Sequence, residues 1–294
     1  MHLKAFLTAL QFLTILPVRT KHLVDDKTLQ HSLIYYPIIG LAIMSVMTAV
    51  LVSLGMALFG YDTIASAWQF SESIITLEQS FEVWQVMVLA AVTLIGWVVL
   101  TGALHLDGFA DSVDALMAGH KVYIAAGDEK ARQQKRDKIL NVMKDPNSGP
   151  MAVIALILLL LFKFCLITAV FVQSLQSLVY LSLILVSLVL ARLFMAVVLL
   201  ETPYAKANGL GKVLQSASKS KVYVSYAALV IALVLMLGNW LLLLFLGMAA
   251  IAIIFRQFCL ASVGGVTGDL LGMQLEVYEV AALLLGLGLL RFWM

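Results

Sequence analysis

Long apolar runs recur seven times along this chain, at about 33–59, 84–105, 150–172, 178–200, 223–239, 240–261 and 277–294. A bilayer core about 30 Å thick takes about 20 helical residues to cross. Only helices and closed barrels satisfy every backbone group there, and runs of this length and continuity are helical. Hydrophobic residues make up 62% of the 294 positions and charged residues 12%, against roughly 45–50% and 25% in soluble domains. The expected fold is all-α: a polytopic membrane bundle of about seven transmembrane helices, forming one domain over 1–294. The first residues, up to Pro17, carry no signal-peptide cleavage pattern. They read as an amphipathic or re-entrant helix preceding the bundle.

The loops sort by charge. Segment 60–83 holds Asp62, Glu72, Glu78 and Glu82 without Lys or Arg, and 173–177 is uncharged. Segments 19–32, 106–149 and 201–222 are rich in Lys and Arg, which places them in the cytoplasm. Seven spans starting from that side bring the short loop 262–276 there as well. The net charge of +2, scattered among apolar spans, gives no basis for nucleic acid as a partner. Cys165 and Cys259 both fall inside apolar runs and read as packing residues rather than a disulfide.

Against this background the charged residues near the membrane stand out. His105-Leu-Asp107-Gly-Phe-Ala-Asp111-Ser-Val-Asp114 lies where the second run ends. Steps of four and three put Asp107, Asp111 and Asp114 on one helical face. Three like charges so close raise one another's pKa unless a cation holds them. Mg2+ suits such a cluster, because it is hard, takes oxygen ligands and is shared between carboxylates and phosphates. A solvated acidic helix end is the plainer alternative. His105 could orient a carboxylate or a metal-bound water, or simply bond to a neighbour.

A second cluster follows Gly264-Gly265-Val-Thr267-Gly268, in the order Asp269, Glu276 and Glu279. In a helix these three share a face. The glycines and Thr267 let backbone amides approach an anion, although such a stretch also serves as an ordinary turn. If the clusters meet, they make one metal and pyrophosphate site between spans two and seven. Arg136, Lys144, Lys206 and Lys212 are available to receive phosphate oxygens. Arg192 lies inside the fourth span, where a charge is costly and by default functional, unless it snorkels to the headgroups. Lys163 lies nearer mid-span and is harder to explain that way.

At these residues the chain resembles the cobalamin synthase family, the adenosylcobinamide-GDP ribazoletransferases or cobalamin-5'-phosphate synthases. The resemblance runs through Phe12-Leu-Thr-Ile-Leu-Pro17-Val, Tyr36-Pro37-Ile-Ile-Gly40, Gly102-Ala-Leu-His105-Leu-Asp107-Gly108-Phe-Ala-Asp111 and Asp137-Lys-Ile-Leu-Asn-Val-Met143-Lys144-Asp145. It continues with Tyr204-Ala205-Lys206-Ala-Asn-Gly209-Leu-Gly211 and Gly264-Gly265-Val-Thr267-Gly268-Asp269. The stretch from Gly119 to Arg136 is longer than the family's usual pattern.

The resemblance implies a bacterial inner-membrane enzyme with its site toward the cytoplasm. It would transfer the cobinamide phosphate of adenosylcobinamide-GDP to α-ribazole or its 5'-phosphate and release GMP. Mapped onto these residues, Mg2+ is expected at Asp107, Asp111, Asp114, Asp269 and Glu276. Asp114, His105 and Arg192 are the catalytic candidates, with Lys144, Lys206, Arg136, Gly264, Gly265 and Thr267 around the phosphates. A homo-oligomer and other cobalamin-pathway enzymes are conceivable partners besides the bilayer. The rival readings are a transporter, which would place charge at mid-span as Lys163 does, and a prenyltransferase or CDP-alcohol phosphotransferase, whose acidic motifs are spaced differently.

Overall fold

The structure, a computed structural model, describes residues 2–17, 25–59, 83–120, 128–143, 145, 147, 149–206 and 209–293. Lys144, the acidic loop 60–82 and the basic residues Arg19, Lys21 and Lys121 lie outside the described residues. Among the described residues there are twelve α-helices and no strand. They are α1 (His2–Leu13), α2 (Asp26–Ser32), α3 (Tyr36–Phe59), α4 (Val83–Leu100), α5 (Leu104–His120) and α6 (Glu129–Val142). Then follow α7 (Pro150–Ser174), α8 (Ser182–Glu201), α9 (Leu210–Gln215), α10 (Lys219–Leu237), α11 (Trp240–Val263) and α12 (Gly268–Trp293).

Among the described residues seven segments are long and apolar enough to cross a membrane: α2–α3 as one span, α4, α7, α8, α10, α11 and α12. Their ends follow local chemistry. Pro150 opens α7, where its missing N–H costs nothing, and Gly264 closes α11 in the left-handed region at φ 78°. The break at Gly238-Asn239 separates α10 from α11, as the sequence predicts. Two expected boundaries are corrected. The second span stops at Leu100, and Gly102 and Ala103 turn the chain with φ of 62° and 56°, so the acidic motif rides on a separate helix, α5. The seventh span begins at Gly268 rather than about 277, because α12 carries Asp269, Glu276 and Glu279 within its helix.

The spans are not equivalent. In α8, 89% of the apolar window is buried inside the protein, and in α12, 61%, whereas the others bury between 17% and 28%. Thus α8 and α12 are the core, and the remaining helices present Leu, Ile and Val outward to lipid. Helix α12 packs on α5, α8 and α11, while α3 lies against α8. Helix α1 tucks Ala5, Ala9 and Leu13 inward while Leu3 is exposed, which is the expected amphipathic pattern. Cys165 is exposed and Cys259 buried, both as free thiols.

Candidate active site

Helices α5 and α12 approach through glycine. A Cβ on Gly108 would lie 2.9 Å from the Asp269 carbonyl oxygen and 3.3 Å from the Gly272 Cα. Neither helix could come this close with a side chain at the crossing. The contact brings the N-terminal turn of α5, with Asp107, beside the N-terminal turn of α12, with Asp269. The two acidic clusters of the sequence do meet.

A second device brings a lysine to the same place. Residues 203–205 pair with Val266 as a short parallel bridge, Ala205 N–H donating to the Val266 carbonyl at 2.8 Å and Val266 N–H to the Pro203 carbonyl at 2.8 Å. Gly265 is buried under this bridge, where a Cβ would clash with the Pro203 carbonyl. The bridge delivers Lys206, whose Nζ lies 3.0 Å from Asp269 Oδ2 with both side chains partly exposed. Arg136 of α6 lies against Gly264, its guanidinium carbon 3.5 Å from where a Cβ would be. Lys206, Arg136 and Gly264 therefore gather where the sequence places them.

Asp107 is exposed and Asp111 and Asp269 half-buried. Burial, together with the charges of Asp107, Asp269 and Asp114, raises the pKa of Asp111 above the usual carboxylate range, with Lys206 opposing the shift. The cluster holds more negative charge than its lysine balances. Among the described residues no group of three or more His, Cys, Asp or Glu side chains is placed so as to hold a metal ion. Mg2+ does not require one, since it commonly takes one or two carboxylates and fills its sphere with water and substrate phosphate. The oxygen-only donor set and its excess negative charge fit that ion.

Several expected site residues turn out to do structural work. Asp114 accepts hydrogen bonds from the backbone amides of Gly149 and of Ala152, the latter at 3.0 Å. Both its oxygens cap the N-terminus of α7, where a negative charge also suits the helix dipole. Thr267 is buried and caps α12, its Oγ1 accepting from Leu270 N–H at 3.2 Å. Together with Gly265 it shapes the turn that leads into α12.

Glu276 and Arg192 belong to a separate network. Lys163 Nζ lies 3.0 Å from Glu276 Oε2 and bonds Glu279 at 2.5 Å, while Arg192 Nη1 reaches Glu279 Oε1 at 3.0 Å. All four side chains are buried. Lys163 also sits over the Trp97 ring, 4.3 Å from its centroid. Two cations and two anions thus close on one another inside the bundle. Glu276 stands two helical turns from Asp269, roughly 10 Å along the axis, so it does not join the metal set. Arg192 does not snorkel; it is fully buried. Sequence reasoning missed the pairing of Glu279 with both cations, and the only signal for it was the mid-span position of Lys163.

His105 is 4% exposed and its Nδ1 has no hydrogen-bond partner. It lies on α5, outside the spans. Burial, reinforced by the charge of Arg192, lowers its pKa to about 3, which keeps the ring neutral and makes it a poor proton acceptor. Beside it a cavity of about 320 Å³ opens between α1, α3, α5, α8, α9 and α12, lined by Asp107 and Asp269 together with a majority of apolar side chains.

Comparison with known proteins identifies the arrangement. The sequence profile of cobalamin-5-phosphate synthase matches residues 5–77 and 71–287. The chain belongs to that family. Among curated relatives, the adenosylcobinamide-GDP ribazoletransferase of Pseudomonas savastanoi pv. phaseolicola is 35% identical over 95% of this chain and 97% of its own length. The proteins of the same name from Pseudomonas syringae pv. syringae and Pseudomonas putida GB-1 are each 35% identical, covering 95% and 97% of this chain and 97% and 99% of their own. No solved structure matches the chain.

Proposed function

We propose that the chain is an adenosylcobinamide-GDP ribazoletransferase of the bacterial inner membrane, working at its cytoplasmic rim. It transfers the cobinamide phosphate of adenosylcobinamide-GDP to α-ribazole or its 5'-phosphate and releases GMP. The names of its relatives support the substrates, and the basic segments around the site support the orientation. The observation that carries the reading is the meeting of Asp107, Asp111 and Asp269 with Lys206, a set suited to a pyrophosphate and its cation.

In the reaction, the ribose hydroxyl of the acceptor forms an ester bond to the cobinamide-bearing phosphorus. The bond from that phosphorus to the bridging oxygen breaks, and GMP leaves with that oxygen. Asp107, Asp111 and Asp269 would hold Mg2+, which when bound neutralises charge developing on the phosphate oxygens. Lys206 can exchange its contact with Asp269 for a phosphate oxygen without leaving the site. Arg136, held against Gly264, offers a second cation. The hydroxyl proton passes to a carboxylate of the cluster, since the neutral His105 holds protons weakly. Lys163, the residue that pointed toward transport, is closed off by two glutamates, so no free mid-span charge supports that rival.

The test is GMP release by purified protein in detergent with both substrates and Mg2+. Activity should fall steeply in Asp107→Asn and Asp111→Asn and vanish in EDTA, returning when Mg2+ is restored. Near wild-type turnover in both variants would remove the carboxylate site, and full activity in EDTA would remove the metal.

A further inference from the structure

The cavity beside His105 has a chemistry that the carboxylate cluster does not use. Much of its wall is apolar side chains from segments far apart in sequence, among them Phe12 of α1, Tyr36 of α3 and Leu199 of α8. Phe12 and Tyr36 stack with centroids 6.2 Å apart and an interplanar angle of 21°. Two buried polar atoms on lining residues lack partners: His105 Nδ1 and the Tyr36 hydroxyl, whose residues are 4% and 1% exposed. Ser32 stands near Tyr36, but its hydroxyl donates to the Leu29 carbonyl and does not meet hydrogen-bond geometry with the phenol. Leaving such groups unpaired is costly unless a ligand completes them.

A largely apolar, aromatic-walled cavity with two isolated polar atoms selects a flat heteroaromatic ring with few polar edge atoms. At about 320 Å³ it stands at the lower end of the roughly 300–1,000 Å³ of small-molecule sites. That space admits a bicyclic ring and excludes a corrin macrocycle. Guanine is a poor match, because its many donors and acceptors would find too few partners here. A lipid chain would leave both orphan atoms unsatisfied.

We infer that this cavity is the acceptor-base subsite: it holds the benzimidazole ring of α-ribazole, with the free ring nitrogen accepting from the Tyr36 hydroxyl and the ribose directed to Asp107 and Asp269. The inference rests on the transferase reading and assigns to Phe12 and Tyr36 a part in choosing the acceptor. The phenol donates to the single lone pair of the free ring nitrogen. The base lies among the apolar side chains while its sugar reaches the carboxylates.

The experiment compares KM values for the two substrates in detergent-purified full-length protein. Leu199→Phe fills the cavity and should raise the KM for α-ribazole at least about tenfold, leaving that for adenosylcobinamide-GDP within about twofold. Tyr36→Phe keeps the volume and should raise the KM for α-ribazole about three- to tenfold, the effect of one hydrogen bond. It should not change the KM for the analogue in which the free ring nitrogen is replaced by carbon. Should Leu199→Phe fail to fold, Tyr36→Phe decides alone. An unchanged α-ribazole KM in Tyr36→Phe, an equal effect on the carbon analogue, or a rise confined to adenosylcobinamide-GDP would overturn the assignment. Wild-type protein that releases no GMP would sink the transferase reading itself, whereas active protein with unaltered variants would sink only the subsite.

Discussion

One helix carries acidic residues into two different settings. At the start of α12, Asp269 is half-buried and faces Lys206 together with other carboxylates. Two to three turns further along, Glu276 and Glu279 are buried and matched by Lys163 and Arg192. The rim cluster carries surplus negative charge; the interior network is balanced in charge, although Arg192 Nε and Nη2 have no hydrogen-bond partner. Acidity in a membrane helix therefore has two meanings, separated by whether the countercharge is already present in the fold. Where it is present, the charges position helices; where it is missing, they await a ligand.

The largest effect expected from breaking this contrast is in the interior. Glu279→Leu strands Arg192 in the bundle and leaves Lys163 with Glu276 alone, and loss of one partner from a buried pair costs about 3–5 kcal/mol. Folded protein recovered in detergent, and its Tm, should fall sharply. The double variant Lys163→Met with Glu276→Leu removes one charge of each sign and leaves Arg192 and Glu279 paired. It should unfold at a higher temperature than either single variant, and an additive loss would show that the network is not one unit. Next in size, Asp111→Asn and Asp107→Asn should lower turnover about 10²–10³-fold, or about 3–4 kcal/mol of transition-state stabilisation. Their Tm should stay within a few degrees of wild type, the reverse of the interior variants. Lys206→Met should cost about tenfold to a hundredfold in kcat/KM.

Asp114 separates the two settings most finely. Asn can accept only through its carbonyl oxygen and turns its NH2 toward the other amide, so Asp114→Asn should retain most activity but lose about 1 kcal/mol of stability, and Asp114→Ala somewhat more. A collapse of activity in Asp114→Asn at unchanged Tm would return this residue to the metal set. The smallest effect concerns pH. The pKa of Asp111 is raised in the fold, so its protonated form is the one the fold favours. Its contribution to stability is present at low pH and is lost as pH rises through that raised pKa. Without divalent cations, Asp111→Asn should slightly raise Tm at neutral pH and flatten its decline with pH. Added Mg2+ should erase this advantage, because the wild-type carboxylate then has a ligand.

Much of this was legible in the sequence because apolar runs and steps of three, four and seven residues are local signals. The seven spans, the N-terminal helix and the helical faces of both acidic motifs follow from them. The start of α12 was set too late because Asp269, Glu276 and Glu279 depress the apolar signal, although the two glutamates are neutralised from other helices. Those partners are invisible locally, since Lys163 lies 113 and 116 residues from the two glutamates it bonds. The capping contacts of Asp114 are hidden for a related reason: its partners are backbone amides of Gly149 and Ala152, 35 and 38 residues away, and amides have no side-chain signature. The capping role of Thr267 could have been read directly, since a threonine ahead of Gly-Asp and an apolar run marks a helix start.

The crossing at Gly108 and Gly272 sets how far apart the carboxylate-bearing helices stand, and it does so with backbone atoms alone. There is no rotamer at that contact to swing aside, so its width cannot adjust to a poorly fitting guest. All the compliance of the rim lies instead in the charged side chains it carries, foremost Lys206. The frame behaves like a fixed jaw with movable teeth, and a single methyl at position 108 would alter the jaw itself.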